Sequence, residues 1–138
     1  MSVATLRDAR PEAAPQCACG SGLLLMACCG RYLSGEPAPT AEALMRSRYT
    51  AFTLRDEAYL LSTWHPDTRP QSLGLAQESP VPKWLGLNVL HSAMQDAHHA
   101  TVEFVARQKI SGRAYRLHEL SRFVLEDGKW FYIDGDIA

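Results

Sequence analysis

A chain of 138 residues, 46% of them apolar and with a formal net charge of −1, can build one buried core. It has no global field to draw it onto nucleic acid or an anionic membrane. No run approaches the roughly 18 apolar residues of a membrane span, and the arginines, acids and prolines of residues 1–15 leave no apolar stretch for a secretory signal. The expected location is the cytoplasm, where clustered thiols are metal ligands more often than disulfides.

Residues 1–15 read as a flexible tail. Residues 16–33 hold all four cysteines, as Cys17-Ala18-Cys19 and Cys28-Cys29, with Gly20-Ser21-Gly22 between the pairs and Gly30 after them. Four thiols brought to one point supply the closed tetrahedral shell of a structural zinc ion. The Cys-x-Cys spacing is tight, and the Gly-Ser-Gly turn lets the chain fold back with its amides directed at the sulfurs. Other readings stand beside this one. A vicinal Cys28-Cys29 disulfide would close a strained ring, a redox Cys-x-x-Cys is absent, and four small core hydrophobes fit poorly with the glycines between them. One structural zinc per chain is the favoured expectation.

Ser34 to Pro39, with two prolines, is a short stiff linker. Thr40 is placed to cap a helix with Glu42 in its first turn, and Leu44, Met45, Tyr49 and Phe52 give that helix an apolar side. Asp56 caps a second short helix carrying Tyr59, Leu60 and Trp64 and ending at Pro66. Residues 65–82 contain four prolines and read as a loop with one turn of helix. The period then becomes two. Trp84 to His91 alternates with Leu85, Leu87 and Val89 on one side, and strands follow over Thr101–Ile110, Arg113–Glu126 and Lys129–Asp134. Ser111-Gly112 and Asp127-Gly128 are hairpin turns. The pattern predicts an α+β fold, helices packed on one face of a bent antiparallel sheet.

Several motifs together resemble known proteins. Cys17-Ala18-Cys19-Gly20-Ser21-Gly22 followed by Cys28-Cys29-Gly30 resembles the SEC-C motif, the small zinc module at the C-terminus of the SecA translocation ATPase. The stretch from Pro39 through Thr40-Ala41-Glu42-Ala43-Leu44-Met45-Arg46-Ser47-Arg48-Tyr49 resembles the YchJ-like proteins, an uncharacterised bacterial family. Thr63-Trp64-His65-Pro66, His118-Glu119 leading to Ser121-Arg122-Phe123, and Lys129-Trp130-Phe131-Tyr132-Ile133-Asp134-Gly135 resemble them too. The resemblance implies a SEC-C zinc module over residues 16–33 and a cone-shaped nuclear-transport-factor-2-like (NTF2-like) domain over residues 40–138. It implies metal ligation by Cys17, Cys19, Cys28 and Cys29, with Cys29 where SecA has histidine. Leu23 to Ala27 replace the lysines usual between the ligand pairs. That argues against docking to SecB and for an apolar face packed on the chain's own second domain.

In residues 114–125, Tyr115, Leu117, Glu119, Ser121, Phe123 and Leu125 share the more apolar face, so Glu119 and Ser121 should point toward the helices. An inward carboxylate must be paired, neutralised or set against a wet cavity. Arg46, Arg48, Tyr49, Trp64 and His65 are the candidates to meet it, with Glu119 and Ser121, in a pocket. An ion pair of Glu119 with Arg46 or Arg48 is the simplest expectation, and His65 reads as a helix C-cap. These features favour a non-catalytic protein. It would bind a partner protein through its zinc module and a small ligand in the cone, with no role on nucleic acid or membrane. The cone resemblance adds a homodimer through the sheet. The alternative is a small-molecule isomerase, dehydratase or hydrolase using Glu119 and His65.

Overall fold

The computed structural model describes residues 15–138. The tail expected over residues 1–15 falls, but for Pro15, outside them. The cysteine segment opens as a small loop, with Cys17 N–H donating to Leu23 O at 2.8 Å and Leu25 N–H to Pro15 O at 3.0 Å. A 3₁₀ turn over Leu25–Ala27 leads into α1 (Cys29–Leu33). A β-carbon at Gly30 would lie 2.6 Å from the Leu25 carbonyl oxygen. Only glycine lets the start of α1 lie against that turn.

The long helix α2 (Ala41–Leu54) starts as its chemistry predicts, Thr40 Oγ1 accepting from Ala43 N–H at 3.0 Å with Glu42 in the first turn. It buries Leu44, Met45 and Tyr49. Asp56 accepts from Tyr59 N–H and opens α3 (Glu57–Ser62). This helix is shorter than expected, ending before Trp64. The chain at Thr63–His65 instead runs alongside the last strand, with Tyr132 N–H donating to Thr63 O and His65 N–H to Tyr132 O, both at 2.8 Å. Trp64 is the bridge residue, and His65 follows it beyond Thr63, which is the helix C-cap.

The following loop is pinned by one carboxylate. Glu57 accepts from Leu73 N–H at 3.1 Å and Leu75 N–H at 3.0 Å, where a 3₁₀ turn (Leu75–Gln77) begins. These two bonds hold its carboxyl below the ordinary range. A depressed folded value stabilises the clamp above the unfolded value of about 4.3, and the clamp is lost as pH falls through the folded value. In an NMR titration the Leu73 and Leu75 amide resonances should move together, with a midpoint below about 4.3.

Four strands, β1 (Lys83–Met94), β2 (His99–Ile110), β3 (Arg113–Glu126) and β4 (Lys129–Ile137), form one antiparallel meander in chain order. Ser111-Gly112 and Asp127-Gly128 take paired positive φ, the two-residue turns that match strand twist. β3 presents Leu117, Glu119, Ser121 and Phe123 beside Ala106, Phe104, Val102 and Ala100 of β2, facing the helices. Val102 and Phe123 are almost wholly buried, and each such side chain contributes about 1.5–3 kcal/mol.

Three bulges change the alternation, one of them between Val89 and His91. Between Trp84 and Gly86 the register slips, so Leu85 is 46% exposed and Trp84 turns inward beside Leu87 and Val89. The expected face of Leu85, Leu87 and Val89 is corrected by that extra residue. Between Arg122 and Phe123 the β3–β4 register also slips. Arg122 pairs with Asp134 on the outer face, and Ser121 lies opposite Gly135. No helix among the described residues is long and apolar enough to cross a membrane.

Candidate metal centre and cavity

The Sγ atoms of Cys17, Cys19, Cys28 and Cys29 all lie within 4.8 Å of one another, and all four residues are buried. Cys19 and Cys28 sulfurs are 3.6 Å apart and those of Cys28 and Cys29 4.0 Å. A tetrahedral ion at about 2.3 Å from each sulfur sets sulfur–sulfur edges of about 3.8 Å, whereas a disulfide needs about 2.05 Å. The donor set thus fits a closed four-thiolate metal site, and no two of these cysteines are bonded.

The surroundings suit concentrated sulfur charge. Ser21, in the Gly-Ser-Gly turn, donates to Cys28 Sγ at 3.1 Å. A hydrogen bond from Cys29, helped by Ser21, draws the Cys19 thiol down to about 4. The same contact pushes Cys29 up, and burial pushes up Cys28. Helix α2 supplies the other side of the shell. Arg46 Nη1 donates to Cys19 O at 3.0 Å while its Nε holds Glu42, and Thr50 Oγ1 lies 3.5 Å from Cys17 Sγ. Cysteines and α2 belong to one core with Leu44 and Met45. The expectation that Leu23 to Ala27 pack inward needs correction. Leu25 does, but Leu23 and Leu24 are about half exposed and Met26 is 85% exposed, because the sulfurs themselves occupy the inner side of the module.

A separate cavity of about 320 Å³ lies between α2 and the inner face of the sheet. Tyr49 and Phe52 pack on Trp84 at ring-centroid distances of 5.5 and 5.9 Å, and Trp64 and Phe123 pack on Tyr132 at 5.0 and 5.7 Å. Arg48, 6% exposed, is stacked over Trp64 at 5.1 Å and over Tyr132 at 4.6 Å. Its Nη1 donates to Leu60 O at 2.7 Å and Thr63 Oγ1 at 2.6 Å. Burial brings its guanidinium down to about 10, still charged at neutral pH. Glu119 Oε2 accepts from Ser121 Oγ at 2.6 Å and Tyr132 Oη at 3.1 Å. Burial and the neighbouring carboxylate push the Tyr132 phenol up, so it stays a donor.

Of the seven residues expected around a pocket, Arg48, Tyr49, Trp64, Glu119 and Ser121 line this cavity. Arg46 and His65 do not. Arg46 donates to the Cys19 carbonyl beside the metal centre, and His65 Nε2 meets Glu126 at 3.0 Å. The expected arginine–Glu119 ion pair is replaced by the hydroxyls of Ser121 and Tyr132, and no Glu119/His65 pair is assembled. Tyr132 is the residue that sequence reasoning missed. Counting back from the Asp127-Gly128 turn places it opposite Phe123, which was the available signal.

The carboxylate also depends on a glycine. A β-carbon at Gly135 would collide with Glu119 Oε2. Gly135→Ala should drive Glu119 off both hydroxyls and cost about 1–3 kcal/mol, read as a lowered urea midpoint. Gly128→Ala, far from the carboxylate, should leave the Tyr132 side-chain environment unchanged.

Residues 40–135 match the model of the YchJ middle NTF2-like domain. A UPF0225 protein of Chromobacterium violaceum is 52% identical over 133 residues, covering 94% of this chain and 98% of the relative. One from Bordetella pertussis is 54% identical over 130 residues, covering 92% and 96%. Two solved structures of SEC-C motif containing proteins are similar in fold. That from Rhodopseudomonas palustris has a TM-score of 0.78 at 35% identity, covering 88% of this chain and 98% of the other. That from Psychrobacter arcticus has a TM-score of 0.72 at 30% identity, covering 88% and 82%.

Proposed function

The chain belongs to the YchJ-like family, an NTF2-like domain behind a SEC-C motif, and we propose that it is a cytoplasmic small-ligand-binding protein braced by one structural zinc ion. The observation that carries this reading is the aromatic cavity with a buried arginine and a glutamate in its wall. Concave, mostly apolar sites with a few fixed polar groups are where small molecules bind. Zinc suits four thiolates in a closed tetrahedron, and Cys17, Cys19, Cys28 and Cys29 would hold it. With no open ligand position, such an ion supplies bracing rather than chemistry.

The geometry favours binding over catalysis. A cavity isomerase, dehydratase or hydrolase using Glu119 and His65 needs those two side chains near one another, whereas His65 is engaged by Glu126. The test is elemental analysis of freshly purified protein together with tryptophan fluorescence against a panel of small aromatic ligands, since Trp64 and Trp84 both line the cavity. One zinc per chain and a saturable fluorescence change that Ala106→Leu abolishes would support the reading. A flat fluorescence response across the panel would refute it.

A second reading rests on the exposed Leu23, Leu24 and Met26. An apolar crest on a metal-braced module suits contact with a partner protein, and it can operate alongside ligand binding in the cone.

A further inference from the structure

We infer that the cavity takes a flat, largely apolar monocarboxylate, its carboxylate on the free edge of Arg48 and its ring against Trp84 and Phe104. This inference rests on the ligand-binding reading above and names the ligand class for it.

The donors of Arg48 are unequally used. Both hydrogens of Nη1 are committed, to Leu60 O and Thr63 Oγ1. Among the described residues no protein acceptor meets Nε or Nη2, which lie side by side on one edge of the guanidinium. That edge is the fork that matches a carboxylate bidentately. Arg48 lines the cavity, and with Nη1 turned to Leu60 and Thr63 the fork is the edge left for a ligand there. The Trp64 indole N–H, in the ring over which Arg48 stacks, is also buried without a partner. Arg48 is thus a buried cation that makes no close ion pair among the described residues, Glu119 acting on it only at longer range.

Glu119, by contrast, is half-buried and already accepts from two hydroxyls. Both bonds fall on Oε2, but the partly exposed carboxylate can be solvated at Oε1, whereas Arg48 is buried, which favours an anion over a cation as the ligand's head. The rest of the cavity sets the body. An apolar cavity of about 150 Å³ holds benzene, and this one is about 320 Å³, room for two fused rings. Its aromatic walls, Tyr49, Trp84 and Phe104 among them, suit a flat ring.

The experiment titrates the metal-loaded, full-length protein with 2-naphthoate, 2-naphthamide and 2-naphthylmethylammonium, by calorimetry and tryptophan fluorescence. The expected order is naphthoate tightest by at least tenfold, and the ammonium weakest. Glu119→Gln removes a repelling charge and should tighten naphthoate several-fold, whereas Arg48→Met should erase its advantage over the amide. If the ammonium binds best, or Glu119→Gln weakens naphthoate, Glu119 sets the selectivity and the carboxylate inference is wrong while ligand binding stands. If none of the three binds, the ligand-binding reading itself falls, and this inference with it.

Discussion

Stripping the metal with a chelator, or replacing Cys28 with serine, should lower the melting temperature by about 10–20 °C, the equivalent of roughly 3–5 kcal/mol for a domain of this size. The module over residues 15–33 has few other means of holding its shape. It contains one 3₁₀ turn and a five-residue helix, and Leu23, Leu24 and Met26 face outward. An isolated structural zinc site binds with on the order of 10 kcal/mol, and for so small a unit that binding energy is folding energy. The loss should be less than this here, because Cys17, Cys19 and Leu25 also pack on α2. Hydrogen exchange should locate it: protection vanishes first in residues 15–33, then falls in the part of α2 holding Arg46 and Thr50. The hairpin of β2 and β3 should keep its protection. A metal-free protein with an unchanged melting temperature and a protected module would contradict the bracing role.

That response would travel through one helix. Arg46 and Arg48 are two residues apart, so they project about 200° from one another around α2. One reaches the Cys19 carbonyl at the metal centre and the other the cavity. The same helix therefore forms the inner wall of the metal centre and the outer wall of the ligand site. The sequence could not say which arginine faced which, because both sides of α2 are covered, one by the module and one by the sheet.

Legibility followed the range of the interaction. Thr40 and Asp56 as helix caps, the cysteine cluster, and the two hairpin turns are local chemistry, and all were readable from neighbouring residues. So was the inward face of β3, because that strand has no bulge along its pairing with β2. The failures are non-local. An uninterrupted register from the Asp127-Gly128 turn would set Asp134 opposite Ser121, a second carboxylate beside Glu119. The bulge at Ile133 turns Asp134 outward onto Arg122 and brings in Gly135, the residue that makes room for Glu119. Nothing in a period-two pattern announces that extra residue. His65 was likewise assigned by its distance from a helix end, whereas its partner Glu126 is 61 positions away.

Arg48→Ala should be the most damaging single change in the cone, costing about 3–5 kcal/mol, because it breaks a buried network and leaves a void. It removes the donors to Leu60 O and Thr63 Oγ1, which join α2 to the end of α3, and the cation stacked over Trp64 and Tyr132. Arg48→Met keeps much of the side-chain volume but none of the charge. Replacing a buried ion by a well-packed apolar group is often near neutral. The two bonds lost here should still leave Arg48→Met about 1–2 kcal/mol less stable than wild type. The gap between the alanine and methionine variants, read from urea midpoints, measures packing, and the gap between methionine and wild type measures the polar contacts. Adding Glu119→Gln separates the long-range charge attraction. If Arg48 is held by Glu119 across Tyr132, the double variant Arg48→Met/Glu119→Gln should be more stable than the two separate losses imply. Strict additivity would show that Arg48 stays charged and buried without help from that carboxylate, leaving its free edge to a ligand.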